Sequence, residues 1–142
     1  MISVPLKRAL LLLCAPLLAL GASACASTST LSTFKGEDHA VAQVVSDLQS
    51  YGTAGEAQKI CSDLLSSAVL ERLQPSTGGC KQALKSQLSQ VDTPEVTVEK
   101  VQLHGATGAT AEVKSTYAGK AKLTDVTLVK EGKAWKISKL GE

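Results

Sequence analysis

The feature that most constrains the fold is a change of hydrophobic periodicity at Pro94. Before this residue, apolar side chains recur at helical spacing; after it, they alternate with a period of two. A chain that forms helices first and neighbouring antiparallel strands afterwards belongs to the α+β class. We therefore predict an α+β fold, with N-terminal helices packed on one face of a curved antiparallel sheet of three to four strands.

The helical half divides at its turn and capping residues. Gly52 and Gly55 bracket the end of the first helix, Ser66-Ser67 offers a cap for a short third helix, and Pro75 stops that helix. The periodicity then predicts four helices, at about residues 38–51, 56–65, 67–74 and 80–91.

The second half shows strand alternation and turn signals. The alternation predicts strands at about residues 95–104, 109–117, 121–130 and 133–139. Its phase slips between Val98 and Val101, and again between Leu123 and Val126, which predicts a bulge or bend at each place. Between the strands, Ala118-Gly119 and Glu131-Gly132 are typical hairpin turns.

Residues 1–24 have the pattern of a secretory signal. Lys7 and Arg8 precede an apolar run over residues 9–20, and small residues follow. The run is too short for a comfortable membrane span, which takes about 20 residues. We therefore predict cleavage after Ala24.

Two peptidases could cut at that bond. Ala22-Ser23-Ala24 suits an ordinary signal peptidase. With Cys25 the stretch also resembles the bacterial lipobox, although Ala22 stands where that pattern usually has Leu. We expect lipidation of Cys25, a Ser/Thr-rich tether over residues 25–36, and a lipid anchor at the extracytoplasmic face of the membrane. Secretion after ordinary cleavage is the alternative, and an uncleaved N-terminal anchor is a third.

Charge excludes some classes of partner. The chain has 15 basic and 13 acidic residues, and loss of residues 1–24 removes two bases and no acid. The remaining chain is neutral, so we expect neither nucleic acid binding nor a polybasic membrane patch. We also expect no cofactor, because the glycines form no phosphate-binding loop and the two histidines lack metal-ligand spacing.

Cysteine usage fits an oxidising compartment. Cys14 falls in the signal and Cys25 would carry the lipid, which leaves Cys61 and Cys80. Disulfides persist outside the cytoplasm, so we predict a Cys61–Cys80 disulfide. Two buried free thiols are the alternative, and zinc binding is not expected without a nearby pair of histidines.

The layout resembles the NTF2-like (cystatin-like) superfamily, which includes SnoaL-like and ketosteroid-isomerase-like proteins. It is most similar to exported actinobacterial lipoproteins of that group. The resemblance rests on the order of elements, on the cysteines in KICSDLLSSAVLERL and GGCKQALKSQL, and on the hairpin LVKEGKAWKI. It implies that residues 37–142 form a cone-shaped half-barrel around the helices, with a pocket at the open end. It implies no particular function, because the fold hosts enzymes, carriers and scaffolds.

Enzymes of that superfamily place a carboxylate of raised pKa inside the apolar cone. The residues that we assign to a candidate pocket are Tyr51, Tyr117, Asp125 and Trp135. His39, Asp63 and His104 are further titratable candidates, and we interpret them as surface residues. A structural role outweighs a catalytic one for each titratable candidate.

We therefore expect a lipid-anchored, extracytoplasmic binding module without catalysis of its own. Its partner would be a small apolar ligand or another envelope protein. One alternative is a small isomerase or hydratase with Asp125 or Asp63 as the base. Another is a secreted scaffold that forms a homodimer through its sheet.

Overall fold

The computed structural model describes residues 30–90 and 94–141. The predicted signal segment, Cys25 and Val91 lie outside these residues. The described chain is α+β, as predicted, with helices followed by four strands. The helices are α1 (Gly36–Thr53), α2 (Ala57–Lys59, continued by a π-helical turn, Ile60–Leu64), α3 (Ser67–Leu73) and α4 (Gly79–Leu88). The strands are β1 (Glu95–His104), β2 (Gly108–Tyr117), β3 (Lys120–Glu131) and β4 (Ala134–Leu140).

The four strands form an antiparallel meander in the order β1-β2-β3-β4. The pairing of β1 with β2 shifts between Val98 and Lys100, so the bulge predicted there is confirmed. The slip predicted at Leu123 is wrong, because β2 and β3 pair in continuous register. Thr124 takes the inward position in this strand, which leaves Leu123 on the outer face and 59% exposed. A second irregularity lies instead between β3 and β4, at Thr127 and Leu128.

Helix α1 packs on the inner face of the sheet and forms the centre of the core. Val41, Ala42 and Val45 are buried on the helix, as are Ala109 and Ala111 on β2. Alanine side chains are small, so the helix can lie close to the sheet at this point. The remaining buried apolar residues of this core are Ile60, Leu64, Leu65, Val98, Val113, Val126, Leu128, Trp135 and Ile137.

The link between α2 and α3 covers the outer edge of β4. Leu65 forms a parallel bridge with Ile137, and the Ser66 N–H donates to the Ile137 carbonyl at 2.9 Å. Ser66 is the N-cap of α3, as predicted, and its hydroxyl accepts from the Val69 N–H. The edge of β4 is therefore covered at Ile137, where its backbone carbonyl has a partner.

The chain before α1 is also attached to the domain. Thr30–Thr33 form a 3₁₀ turn, and Leu31 and Phe34 pack against the core. The last residues of the segment predicted as a tether thus contact the folded body. Among the described residues, no helix is both long and apolar enough to cross a membrane.

Candidate functional site

A cavity of about 370 Å³ lies between the helices and the sheet. Its lining comes from the second half of α1, from α4, and from the strand ends at that side of the sheet. The apolar part of the lining is Val45, Leu48, Ile60, Leu84, Leu88, Pro94, Val96, Val113, Val126 and Leu140. Ligand sites in proteins usually measure about 300–1,000 Å³, so this cavity is large enough for a small molecule. We call this end of the helix–sheet interface the open end.

Residue spacing explains the lining. Val45, Leu48 and Gly52 follow one face of α1, and Leu84 and Leu88 are one helical turn apart on α4. Gly52 has no side chain, and a Cβ built there would lie 3.7 Å from the Leu88 methyl group, across the gap between α1 and α4. Gly52 therefore lies where α1 comes close to α4, and a side chain longer than that of alanine would extend into the cavity that both helices line.

Four polar residues also line the cavity: Gln49, Gln87, Ser115 and Thr124. The Gln49 amide lies beside the backbone of Val96 on β1. In the orientation that satisfies both groups, its nitrogen donates to the Val96 carbonyl and its oxygen accepts from the Val96 N–H, both at 3.1 Å. The Ser115 hydroxyl donates to the Lys122 carbonyl at 3.4 Å. None of the described lining residues is ionisable, so these side chains carry no charge at any ordinary pH.

A disulfide holds α4, which forms one wall of the cavity. The sulfur atoms of Cys61 and Cys80 lie 2.05 Å apart, so the predicted pair is present in the structure. It joins the π-helical turn to the first residues of α4. Because α4 has no fully buried residue, packing alone holds this helix less firmly than α1.

The opposite end of the interface, which we call the closed end, contains the buried Trp135 and is cross-linked by polar contacts. The Glu37 carboxylate, at the start of α1, accepts from Lys130 Nζ at 2.7 Å and from Trp135 Nε1 at 2.6 Å. The Lys130 ammonium also lies 5.6 Å from the centroid of the Trp135 ring. The hydrogen bond from Lys130, and then that from Trp135, lower the pKa of Glu37 below its ordinary value. This cluster fastens the first turn of α1 to β3 and β4.

None of the four predicted pocket residues lines the cavity at the open end. Trp135 is buried at the closed end, and Tyr51 packs against the edge of the core with Lys59 Nζ 5.2 Å from its ring centroid. Tyr117, at the end of β2, is 58% exposed. Asp125 lies on the outer face of the sheet, where it lines a small polar cleft with Glu112 and Lys100.

The other titratable candidates are exposed, as the sequence predicted. His39 and Asp63 lie on helical surfaces, and His104 Nε2 is 2.9 Å from the Thr110 hydroxyl at the end of the β1–β2 hairpin. Among residues 30–90 and 94–141, no three side chains of His, Cys, Asp or Glu are grouped so that they could hold a metal ion.

Sequence reasoning missed the residues that shape the cavity. The predicted pocket residues are aromatic or acidic, whereas the cavity is lined in part by the small residues Gly52, Ser115 and Thr124. Each is small, and Gly52 and Thr124 lie on a helix or strand face whose other lining residues, Val45, Leu48 and Val126, are larger and apolar. A small residue on an otherwise apolar helix or strand face is a signal that can be found in the amino-acid sequence.

Comparison of the chain with protein-family models, with curated proteins and with solved structures finds no match.

Proposed function

We propose that this protein binds a small, mainly apolar molecule in the cavity at the open end and has no catalytic activity of its own. One observation carries the proposal, namely a cavity of about 370 Å³ whose described lining is apolar apart from four neutral polar side chains. A preformed concave site with few polar groups is the usual form of a small-molecule site.

The lining defines the chemistry of the buried part of the ligand. A charged group placed there would lose its hydration without meeting an opposite charge, which is strongly unfavourable. The buried part is therefore uncharged. The Gln87 amide and the Thr124 hydroxyl could each hydrogen-bond one polar atom of the ligand and so set its orientation.

The same lining supports binding over proton-transfer chemistry. An isomerase or hydratase that uses a carboxylate as its base requires that this carboxylate face the apolar cavity. Asp125 lies on the outer face of the sheet and Asp63 is exposed on the helical side. Neither lines the cavity, so the binding function is the one that the geometry favours.

The proposal includes the setting that the sequence predicts. The described domain would be an NTF2-like cone, held at the extracytoplasmic face of a membrane by a lipid on Cys25. The chain enters at the start of α1, beside the closed end, while the cavity lies at the far end of α1. The anchor and the binding site would then be on opposite sides of the domain.

A neutral fluorescent probe, N-phenyl-1-naphthylamine, tests the cavity. The Cys25→Ser protein, purified without detergent, should bind it saturably with a stoichiometry of one. Gly52→Leu places a side chain between α1 and Leu88 and should weaken binding at least about tenfold, because the new atoms occupy the site. Ser50→Leu, on the exposed face of the same helix, is the matched control and should bind normally. Unsaturable binding, or equal binding by Gly52→Leu, would refute the proposed site.

The anchor is tested separately. Cys25→Ser should release the exported protein from membranes, whereas the unmodified chain should fractionate with them. A variant protein that remains in the membrane fraction would contradict lipidation at Cys25.

A further inference from the structure

A second cavity adjoins the first. A groove of about 310 Å³ lies between α3 and β4, and its apolar floor includes Leu65, Val69 and Ile137. The two cavities share one lining residue, Leu140. The two volumes therefore meet at Leu140, at the end of β4.

The Leu140 side chain can change its rotamer when a ligand binds. The residue is 54% exposed although it lies beside apolar surface on both sides. Exposed side chains change rotamer within nanoseconds. A change of the Leu140 rotamer would alter the boundary that the two cavities share.

The charges differ between the two cavities. The cavity at the open end has no ionisable lining residue, whereas the groove is lined by Arg72 and Lys139 and by no acid among the described residues. Arg72 is held in position, because its Nε donates to the Ala68 carbonyl at 3.1 Å and its Nη2 to the Ser138 carbonyl at 3.2 Å. A guanidinium has five N–H donors, and carboxylates and phosphates are the partners that suit its geometry.

We infer that the ligand of this protein is a single-chain amphiphile with an anionic head group. The hydrocarbon chain of the ligand fills the neutral cavity and extends past Leu140. The head group of the ligand lies in the groove beside Arg72 and Lys139. This inference rests on the proposed function, and it adds the class of the ligand and the residues that select it. Charge complementarity is the argument, since the described lining of the groove includes two cations and that of the cavity includes none.

Displacement of N-phenyl-1-naphthylamine by dodecanoate and by dodecanol tests the inference in the Cys25→Ser background. The two competitors have the same chain and differ in the charge of the head group. Arg72→Gln with Lys139→Gln should weaken dodecanoate binding about tenfold, as expected for loss of charge-assisted hydrogen bonds, and should leave dodecanol binding within about twofold. High salt should weaken the binding of dodecanoate only.

The matched control is Lys114→Gln with Lys133→Gln. It makes the same change of charge on the exposed part of β2 and in the β3–β4 turn, away from both cavities. It should bind dodecanoate as the parent protein does. Thermal unfolding of each variant shows that the compared proteins are folded.

The outcomes separate the two proposals. Dodecanoate affinity that is unchanged in the Arg72/Lys139 variant, with dodecanol still bound, would overturn the head-group assignment and leave the apolar site standing. Equal weakening by the control pair would also overturn it, because the effect would then be one of net charge. Failure of both competitors and of the probe to bind would overturn the site itself.

Discussion

The two ends of the helix–sheet interface are built in opposite ways. At the closed end, Trp135 fills the space beneath the start of α1, and its indole N–H and the Lys130 ammonium both bind Glu37. At the open end, the same helix presents Gly52 across a cavity to α4. A filled, hydrogen-bonded end and an unfilled end on one continuous helix suggest that the first maintains the fold while the second is available for a ligand.

The same contrast appears between the helices. Three residues of α1 are buried, while α3 and α4 have none. Helix α1 is therefore held by apolar packing, and α4 depends on the disulfide at its first turn. If this comparison is right, changes at the closed end should affect stability and changes at the open end should affect binding.

The largest effect is expected for Trp135→Ala. Removal of a buried Trp side chain usually costs about 3–5 kcal/mol of stability. Urea unfolding should show this loss, while the fraction that is still folded should bind the naphthylamine probe normally. Trp135→Phe retains most of the volume and should cost less. Loss of probe binding by folded Trp135→Ala protein would show that the two ends are not independent.

The Cys61→Ser/Cys80→Ser variant should have the next largest effect. Its loop has a sequence separation of 19 residues. A loop of that size predicts a loss of about 3 kcal/mol. Because α4 forms a wall of the cavity, probe binding should fall as well, and dithiothreitol should produce the same change in the parent protein but none in the variant. Unchanged probe binding after reduction would mean that packing suffices to hold α4.

Glu37 should have a smaller effect that depends on pH. Its pKa is lowered in the folded state, so its contribution to stability is present above its unfolded pKa and is lost as pH falls through the folded value. Stability of the parent protein should therefore decline below about pH 4.5 more steeply than that of Glu37→Gln. Glu99→Gln, on the exposed surface of β1, is the control and should follow the parent. Parallel curves for the parent and Glu37→Gln would contradict the role of this carboxylate.

Gly52→Ala should have the smallest effect. The added Cβ meets only ordinary contact with Leu88 at 3.7 Å, and alanine is favoured over glycine in helices by up to about 1 kcal/mol. A slight gain of stability in urea unfolding is expected. Gly55→Ala, where φ is +70°, should instead destabilise the protein. A loss of stability in Gly52→Ala would show that the space between Gly52 and Leu88 is smaller than the structure indicates.

The order and type of the elements could be predicted from the sequence because they depend on local patterns. β1 has the predicted bounds, Ser66 caps α3, and the Ala118-Gly119 turn has positive φ at both residues. The cysteine pair followed from composition and context. The slip expected at Leu123 failed, because alternation along one strand does not reveal which residue the neighbouring strand will pair with it.

The residues around the cavity could not be predicted in the same way. Trp135 and Asp125 were assigned to the pocket on residue type, yet one lies in the closed end and the other on the outer face of the sheet. The start of α1 meets a large side chain and its end meets a cavity. This difference depends on contacts of α1 with β3, β4 and α4, which are distant from α1 in the sequence.

The sequence alone thus determined the order and type of the elements, the coarse fold class and the pairing of the cysteines, because each depends on hydrophobic period, turn chemistry or cysteine number. Only the tertiary structure decided where the interface is filled and where it is open. That outcome is a matter of volume, since a cavity forms where facing side chains from separate elements together fail to fill the space between them.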